Sequence, residues 1–284
     1  MSPKLLFHIV TLFLITMTAT ADTSLTVMSF NIRYGTDGDG KNSWGERRAT
    51  VANAIKHHTP DVVGLQECID FQAEYLVETL PEYQWVGMGR EADGGHEMTA
   101  VLYRKDTLSP VETANFWLSE TPDVPGSISW DSGYVRMATQ VKFMHRESRK
   151  QFHFINTHLD SRGEQARLEG AKLIAKRLES IPSNVPTIIT GDFNALAEDS
   201  QVWNVFKGAG FSDTWVTAKE RVGPPITMGR FRAPKKDTVA RIDWVLVGGP
   251  IRSERCETSL YNEDGRYPSD HYPIVARLML ADSK

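Results

Sequence analysis

Cysteine is nearly missing from this chain: 284 residues carry two, Cys68 and Cys256, with no C-x-x-C pair. A thiolate zinc site, a redox dithiol and a disulfide-dense miniature fold are therefore excluded. One Cys68–Cys256 bridge stays open, because oxidising compartments permit pairing. Positive charge is not in excess either: Lys+Arg is 32 against Asp+Glu 36, a formal net charge of -4. That balance argues against bulk, sequence-blind binding to nucleic acid, although a bound cation adds local positive charge that a residue count misses. No long basic loop, no aromatic–basic alternation suited to strand tracking and no membrane-dipping apolar hairpin is read from the chain. No glycine-rich turn follows the first strand, where Asn31-Ile32-Arg33-Tyr34-Gly35 stands instead. A doubly wound dinucleotide-binding fold is excluded on that ground. Past the first two dozen residues no apolar run is long enough to cross a bilayer. With no repeat and no low-complexity linker, one domain is the expected count.

What is present begins with a leader. Lys4 gives a positive start, Leu5 to Met17 an apolar stretch, and Ala19-Thr20-Ala21 a small-x-small cleavage pattern. These predict a signal peptide over 1–21, cleaved after Ala21, and a single domain over 22–284 of an exported, periplasmic or secreted protein.

After the leader, short β-rich runs alternate with amphipathic helical ones. Strands are predicted at 25–32, 61–67, 83–89, 99–105, 109–118, 134–145, 151–159, 185–191, 241–247, 252–260 and 271–280. Helices are predicted at 46–58, 69–80, 163–181 and 199–209, where apolar residues recur at helical spacing. Pro/Gly-rich stretches at 121–133 and 223–238 read as surface loops. Many strands, few helices and no split give an α/β protein with two packed sheets and helices outside.

The polar residues fall where strands end. The first strand ends in Asn31 and the second in Gln66-Glu67. Later ones end in Asn156-Thr157-His158 and Gly191-Asp192-Phe193-Asn194. Asp243 sits in Arg241-Ile242-Asp243, and Ser269-Asp270-His271 introduces the last strand. Each residue alone is an ordinary turn former or cap. Together they bring several ionisable groups to one sheet edge. Glu67 and Asp270, with Asn31 as a neutral donor, are hard oxygen ligands suited to Mg²⁺ or Mn²⁺ rather than zinc. His158 and His271 are then free for acid, base or hydrogen-bond work. Asp192 and Asn194, two apart on an extended segment, would point the same way. Such a set suits metal-assisted hydrolysis of a phosphate ester.

These six motifs, in this order over about Leu25 to Leu280, resemble the endonuclease/exonuclease/phosphatase superfamily. The resemblance implies a four-layer α/β/β/α sandwich, two mixed β-sheets face to face with helices outside. It implies a divalent-metal phosphoesterase with Glu67, Asn31 and Asp270 at the metal. Asp192 would orient or deprotonate the attacking water, and Asn194 would hold a phosphate oxygen. Asp243 would pair with His271, and His158 would assist the leaving oxygen. Glu97, in Gly95-His96-Glu97-Met98, resembles the glutamate that orients that histidine in pancreatic-type deoxyribonucleases. Around this set, Trp44 and Arg47 are candidate stacking and phosphate contacts, Arg136 starts a strand beside the cleft, and Asp160 and Arg162 lead into a helix start that favours an anion.

The expected activity is a metal-dependent phosphodiesterase, nuclease-like, acting on nucleic acid or a small or lipid phosphodiester. A monoesterase acting on lipid, sugar or inositol phosphates is the alternative on the same scaffold, since loops decide substrate. A decayed binding module is disfavoured because the whole set is intact. A glycosidase leaves Asn31, Asn194 and His271 unexplained. A monomer without an obligate protein partner is expected.

Overall fold

The computed structural model describes residues 22–281, so the expected leader at 1–21 lies outside the described residues. Strands are numbered along the chain. The first sheet contains β1 (Thr23–Asn31), β2 (Val62–Gln66), β3 (Tyr83–Val86), β4 (Val101–Arg104), β10 (Glu220–Val222), β12 (Ile251–Thr258) and β13 (Ile274–Leu280), in the order β10-β12-β13-β1-β2-β4-β3. The second contains β5 (Leu108–Trp117), β6 (Met137–His145), β7 (Gln151–His158), β8 (Thr187–Asp192), β9 (Ser212–Asp213) and β11 (Asp243–Gly248), in the order β5-β6-β7-β8-β11-β9. Both are mixed: β1 runs parallel to β2 and antiparallel to β13, and β7 runs parallel to β8 while β11 is antiparallel to it. The helices are α1 (Trp44–His58), α2 (Asp70–Thr79), α3 (Glu164–Leu178), α4 (Gln201–Gly208) and α5 (Thr214–Thr217). The expected four-layer α/β/β/α sandwich is the fold.

Side-chain alternation explains the layers. Strand residues point to opposite faces in turn. Leu25, Val27, Val62, Phe152, Phe154, Ile188, Val245 and Val247 face between the sheets and form the middle layer. The intervening Met28, Phe30, Val63 and Leu65 face outward under Val51, Ile55 and Leu76 of α1 and α2. Ile155, Ile189 and Trp244 do the same under Ala171, Ile174 and Phe206 of α3 and α4. Fully apolar strands such as β2 are thus covered on both faces, as their sequence requires.

Toward one end of the sandwich the inward-facing row changes character. After Leu25 and Val27 come Ser29 and Asn31; after Phe152 and Phe154 come Asn156 and His158; after Ile188 come Thr190 and Asp192. Asn156 joins the sheets here, donating from Nδ2 to the carbonyls of Leu65 and Ala100 at 2.8 and 3.0 Å. Its Oδ1 accepts from Gln66 Nε2 at 2.6 Å and Thr190 Oγ1 at 3.1 Å. Gly64 leaves room for this staple: a Cβ there would stand 2.1 Å from Thr190 Oγ1 and 2.5 Å from Asn156 Oδ1. Gly64→Ala should therefore lower stability by about 1–3 kcal/mol, the usual cost of overpacking, read as a reduced denaturation midpoint.

Cys68 and Cys256 are both free and buried, in different core layers, so the bridge left open by the sequence is not formed. Burial pushes the Cys256 thiol up to about 12. The short elements β9, α5 and β10 have no counterpart in the sequence-based prediction, since runs of two to four residues carry no readable period.

Candidate active site

The polar end of the sandwich opens into a cavity of about 330 Å³. Glu67, Glu97, Arg136, His158, Asp192, Asn194, Asp270 and His271 of the predicted set line it. Simple alternation would turn Glu67 away, toward the helix side. Its left-handed φ of 55° reverses that, a conformation an L-residue adopts at a cost of about 1–2 kcal/mol. The carboxylate is then held by Asn31 Nδ2 on Oε1 and by the Tyr34 backbone N–H on Oε2, both at 3.1 Å. Burial alone would raise this carboxyl; His271, these two donors and Arg33 together hold it below the usual range.

Asp192 ends β8 beneath the cavity. Its Oδ2 lies 3.1 Å from Asn31 Nδ2, 3.5 Å from His158 Nε2 and 3.8 Å from His271 Nε2. Burial, then the neighbouring Asp243, push its carboxyl up to about 7. Asp243 and Asp192 are directly opposed across β11 and β8. Asp243 Oδ2 takes His271 Nδ1 at 2.9 Å, and Thr227 Oγ1 accepts the Asp243 backbone N–H at 3.1 Å. Burial works against a charged His271, but Asp243 and Asp192 outweigh it and raise the imidazole well above its ordinary value. His158 goes the other way: burial, then Arg136, hold it well below, so this imidazole is neutral at pH 7. Two histidines in one cavity are thus set to opposite charge states.

Asn194 is not on an extended segment. Its φ is 47°, and its backbone N–H caps Asp192 Oδ1 at 2.9 Å while Nδ2 donates to Leu159 O at 3.0 Å. Phe193 between them is buried and stacks on Trp244 at 4.2 Å, which anchors the turn. Asn31 likewise presents its Nδ2 to the carboxylates, its Oδ1 accepting from the Arg33 backbone N–H at 3.0 Å. In this orientation its amide nitrogen organises Glu67 and Asp192.

Several predicted contacts are corrected. Trp44 is 8% exposed and packs edge-on against Tyr75 between α1 and α2, so it cannot stack on substrate. Arg47 is 1% exposed, and its guanidinium donates to the carbonyls of Ile32, Arg33, Asn42 and Pro268. It ties loops together beneath the cleft. Asp160 has both oxygens occupied: Oδ1 accepts from the backbone of Arg162 and Gly163, and Oδ2 from Ser132, Gly133 and Tyr134. It positions the 132–134 turn rather than touching substrate. The start of α3 is already capped by Asp131, which accepts from Ala166 N at 2.7 Å. Glu97 is hydrogen-bonded to Arg90 Nη1 at 2.8 Å, and among the described residues no hydrogen bond joins it to His158.

The structure adds residues the motifs did not flag. Tyr134 lines the cavity and has three guanidinium groups about its ring, Arg90, Arg136 and Arg162, at 5.6, 5.1 and 4.7 Å from its centre. Arg136 is 6% exposed; its nearest anion is Asp160, 3.6 Å from Nε, and that nitrogen has no hydrogen-bond partner. Arg162 is exposed at the rim. Tyr134 stands two residues before Arg136 and Arg33 two after Asn31, the adjacency that could have marked both.

The donor set fits a hard divalent cation. Four carboxylates, Glu67, Asp192, Asp243 and Asp270, meet in and under the cavity, and Asp243 Oδ1 is buried without a hydrogen bond. Ligand atoms of Asp192, Asp243 and His271 lie within 4.8 Å of one another. Asp243 and His271 already satisfy each other, and Asp243 does not line the cavity. Glu67 and Asp270, with Asp192 and Glu97, are the carboxylates that open into it.

Comparison with known proteins agrees with this geometry. The family model described as the endonuclease/exonuclease/phosphatase family matches residues 28–271. The chain belongs to this family. Members of the endonuclease/exonuclease/phosphatase family are metal-dependent phosphoester hydrolases, and so is this protein. Among solved structures, a family protein from Bacteroides vulgatus is similar with a TM-score of 0.86 and 34% identity, covering 91% of this chain and 100% of that one. A mannosyl-6-phosphatase of Bacteroides thetaiotaomicron is similar with a TM-score of 0.84 and 32% identity, covering 89% of this chain and 99% of that one. Tyrosyl-DNA phosphodiesterase 2 of Danio rerio is 24% identical over 197 residues, 68% of this chain and 47% of the relative. The chain thus matches about half the length of that curated relative.

Proposed function

We propose that this protein is an exported, Mg²⁺- or Mn²⁺-dependent phosphomonoesterase acting on a small phosphate ester of the sugar-phosphate class. The observation that carries this reading is Arg136 beside Arg90 in a compact cavity, buried, its Nε 3.6 Å from Asp160 but without a hydrogen bond. A monoester is a dianion and needs more positive charge at its terminal oxygens than a diester, and arginine meets such oxygens in a fork. The similarity to a mannosyl-6-phosphatase over nearly the whole of both chains supports it. A phosphodiesterase is the second reading, favoured by the likeness to tyrosyl-DNA phosphodiesterase 2. Export rests on residues 1–21 alone.

Glu67 and Asp270 would hold the cation. When bound, it would supply charge neutralisation at the phosphoryl oxygens and a more acidic water. The chain's own residues do the rest. Asp192 takes the proton of the attacking water as the new O–P bond forms. His271, kept cationic by Asp243, donates a hydrogen bond to a phosphoryl oxygen. Arg136 and Arg90 meet the terminal oxygens, neutral His158 donates a hydrogen bond to the leaving oxygen as the ester bond breaks, and the proton that Asp192 took from water passes to that departing oxygen, which leaves as an alcohol.

Two assays test the reading. Hexose 6-phosphate and bis-p-nitrophenyl phosphate are offered with Mg²⁺ or Mn²⁺ and with chelator, and His271→Ala controls for contamination. Chelator-sensitive release of phosphate from the hexose ester is expected, with Arg136→Ala raising KM about tenfold or more, the worth of one charge-assisted hydrogen bond. A clear preference for the diester would replace the first reading by the second.

A further inference from the structure

Met228 lines the catalytic cavity, and it also lines a second one of about 240 Å³. Arg230, Arg232, Lys235, Thr238 and Tyr272 bound that second space. The loop that builds it is tied to the catalytic strand end. Gly229 N and Arg230 N donate to Asp270 O at 2.6 and 2.7 Å, and Tyr272 N donates to Thr227 O at 2.6 Å. The Tyr272 hydroxyl donates to the Arg232 carbonyl. Its position relative to His271 and Asp270 is therefore fixed by main-chain bonds.

The charge of this second space is unbalanced. Some surface arginines are matched, as in Arg252–Asp22, Arg255–Glu220 and Arg266–Glu46, while others, such as Arg48, Arg149 and Arg221, stand singly without a carboxylate partner among the described residues. Among the described residues no carboxylate pairs with Arg230, Arg232 or Lys235. Three free cations converge on a concave space whose one wall is shared with the catalytic cavity. That wall is a thioether, which packs well against carbon.

We infer that this basic cavity is a second anion subsite, taking a phosphate on the same substrate molecule as the one hydrolysed. The Met228 thioether lies against the carbon skeleton that joins the two phosphates. The inference deepens the phosphoesterase reading and rests on it: the preferred substrate bears two phosphates, one at Asp192 and His271 and one at Arg230, Arg232 and Lys235.

The test compares hexyl phosphate, 1,6-hexanediol bisphosphate and 5′-phosphorylated tetrathymidylate in the wild type and in Arg230→Gln/Arg232→Gln/Lys235→Gln. All three side chains are exposed, so the variant should fold. A kcat/KM for a two-phosphate substrate at least about tenfold above that for hexyl phosphate is expected, with the triple variant bringing the ratio close to one. A gain with hexanediol bisphosphate assigns the second phosphate to a small ester; a gain confined to the oligonucleotide assigns it to a nucleic-acid backbone. A gain with neither, or one the triple variant keeps, overturns the subsite. Titration calorimetry of the same ligands in His271→Ala reads binding without turnover. If no ester is hydrolysed, the activity reading falls while calorimetry still decides the subsite.

Discussion

Asp192→Ala is expected to lower kcat by about 10²–10⁴-fold, the range for loss of an acid–base group, and His271→Ala to do the same. Initial-rate assays on the best ester check both. The two should not multiply, since residues acting as one unit lose their effect together. The stability of Asp192→Ala should move in the opposite sense to its activity. The native carboxyl is raised to about 7 by burial and by Asp243, above its ordinary value near 3.8. The folded state therefore binds a proton that the unfolded state has released. This carboxyl's contribution to the stability of the metal-free wild type should fall as pH rises from about 4 through 7, where the unfolded chain has lost that proton and the folded one must lose it too. Removing the carboxyl removes this loss, so the variant's melting temperature at pH 8 should match or exceed that of the wild type. Near-wild-type turnover in either variant would end the role assignment.

Arg47→Ala should show the largest loss of stability, about 3 kcal/mol or more, because four carbonyls lose a charged donor in a buried setting. The carbonyls belong to Ile32, Arg33, Asn42 and Pro268. These are the exit of β1, the approach to α1 and the turn before Ser269-Asp270-His271. Arg47→Lys should rescue little, since a single ammonium cannot reach carbonyls spread around a planar fork. Urea unfolding measures the loss. A variant as stable as wild type would show that water replaces the fork.

That the strand-end polar residues gather in one place was legible in the sequence for a physical reason. Metal and phosphate chemistry demands carboxylates, amides and imidazoles at strand ends, where apolar runs make them conspicuous. Glu67, Asp192, Asp270, His158 and His271 all line one cavity as those motifs implied. The layers were legible too, because period-two alternation and helical stripes were clear. Arg47 and Trp44 were not. An arginine near a helix start normally faces solvent, and nothing in its neighbours announces a buried guanidinium. Asp160 read as a substrate contact because backbone donors leave no trace in a sequence. Arg230-Phe231-Arg232 is a short aromatic–basic alternation inside the Pro/Gly-rich 223–238 loop, and composition alone gives it no role. Its meaning comes only from Asp270, whose carbonyl holds it beside the cleft. Left-handed Glu67 and Asn194 were equally invisible, since neither residue type demands that conformation.

The position of β13 bears on how the protein is made. It lies between β1 and β12, pairing Thr23 with Leu280 and Ile251 with the same residue. The first strand to leave the ribosome must therefore wait for the last one before its sheet can close. Contacts of such long sequence separation fold slowly. Asp270 and His271 immediately precede that strand. A nascent chain thus lacks its sheet closure, and the strand that anchors Asp270 and His271 beside Asp192, until synthesis has passed residue 280.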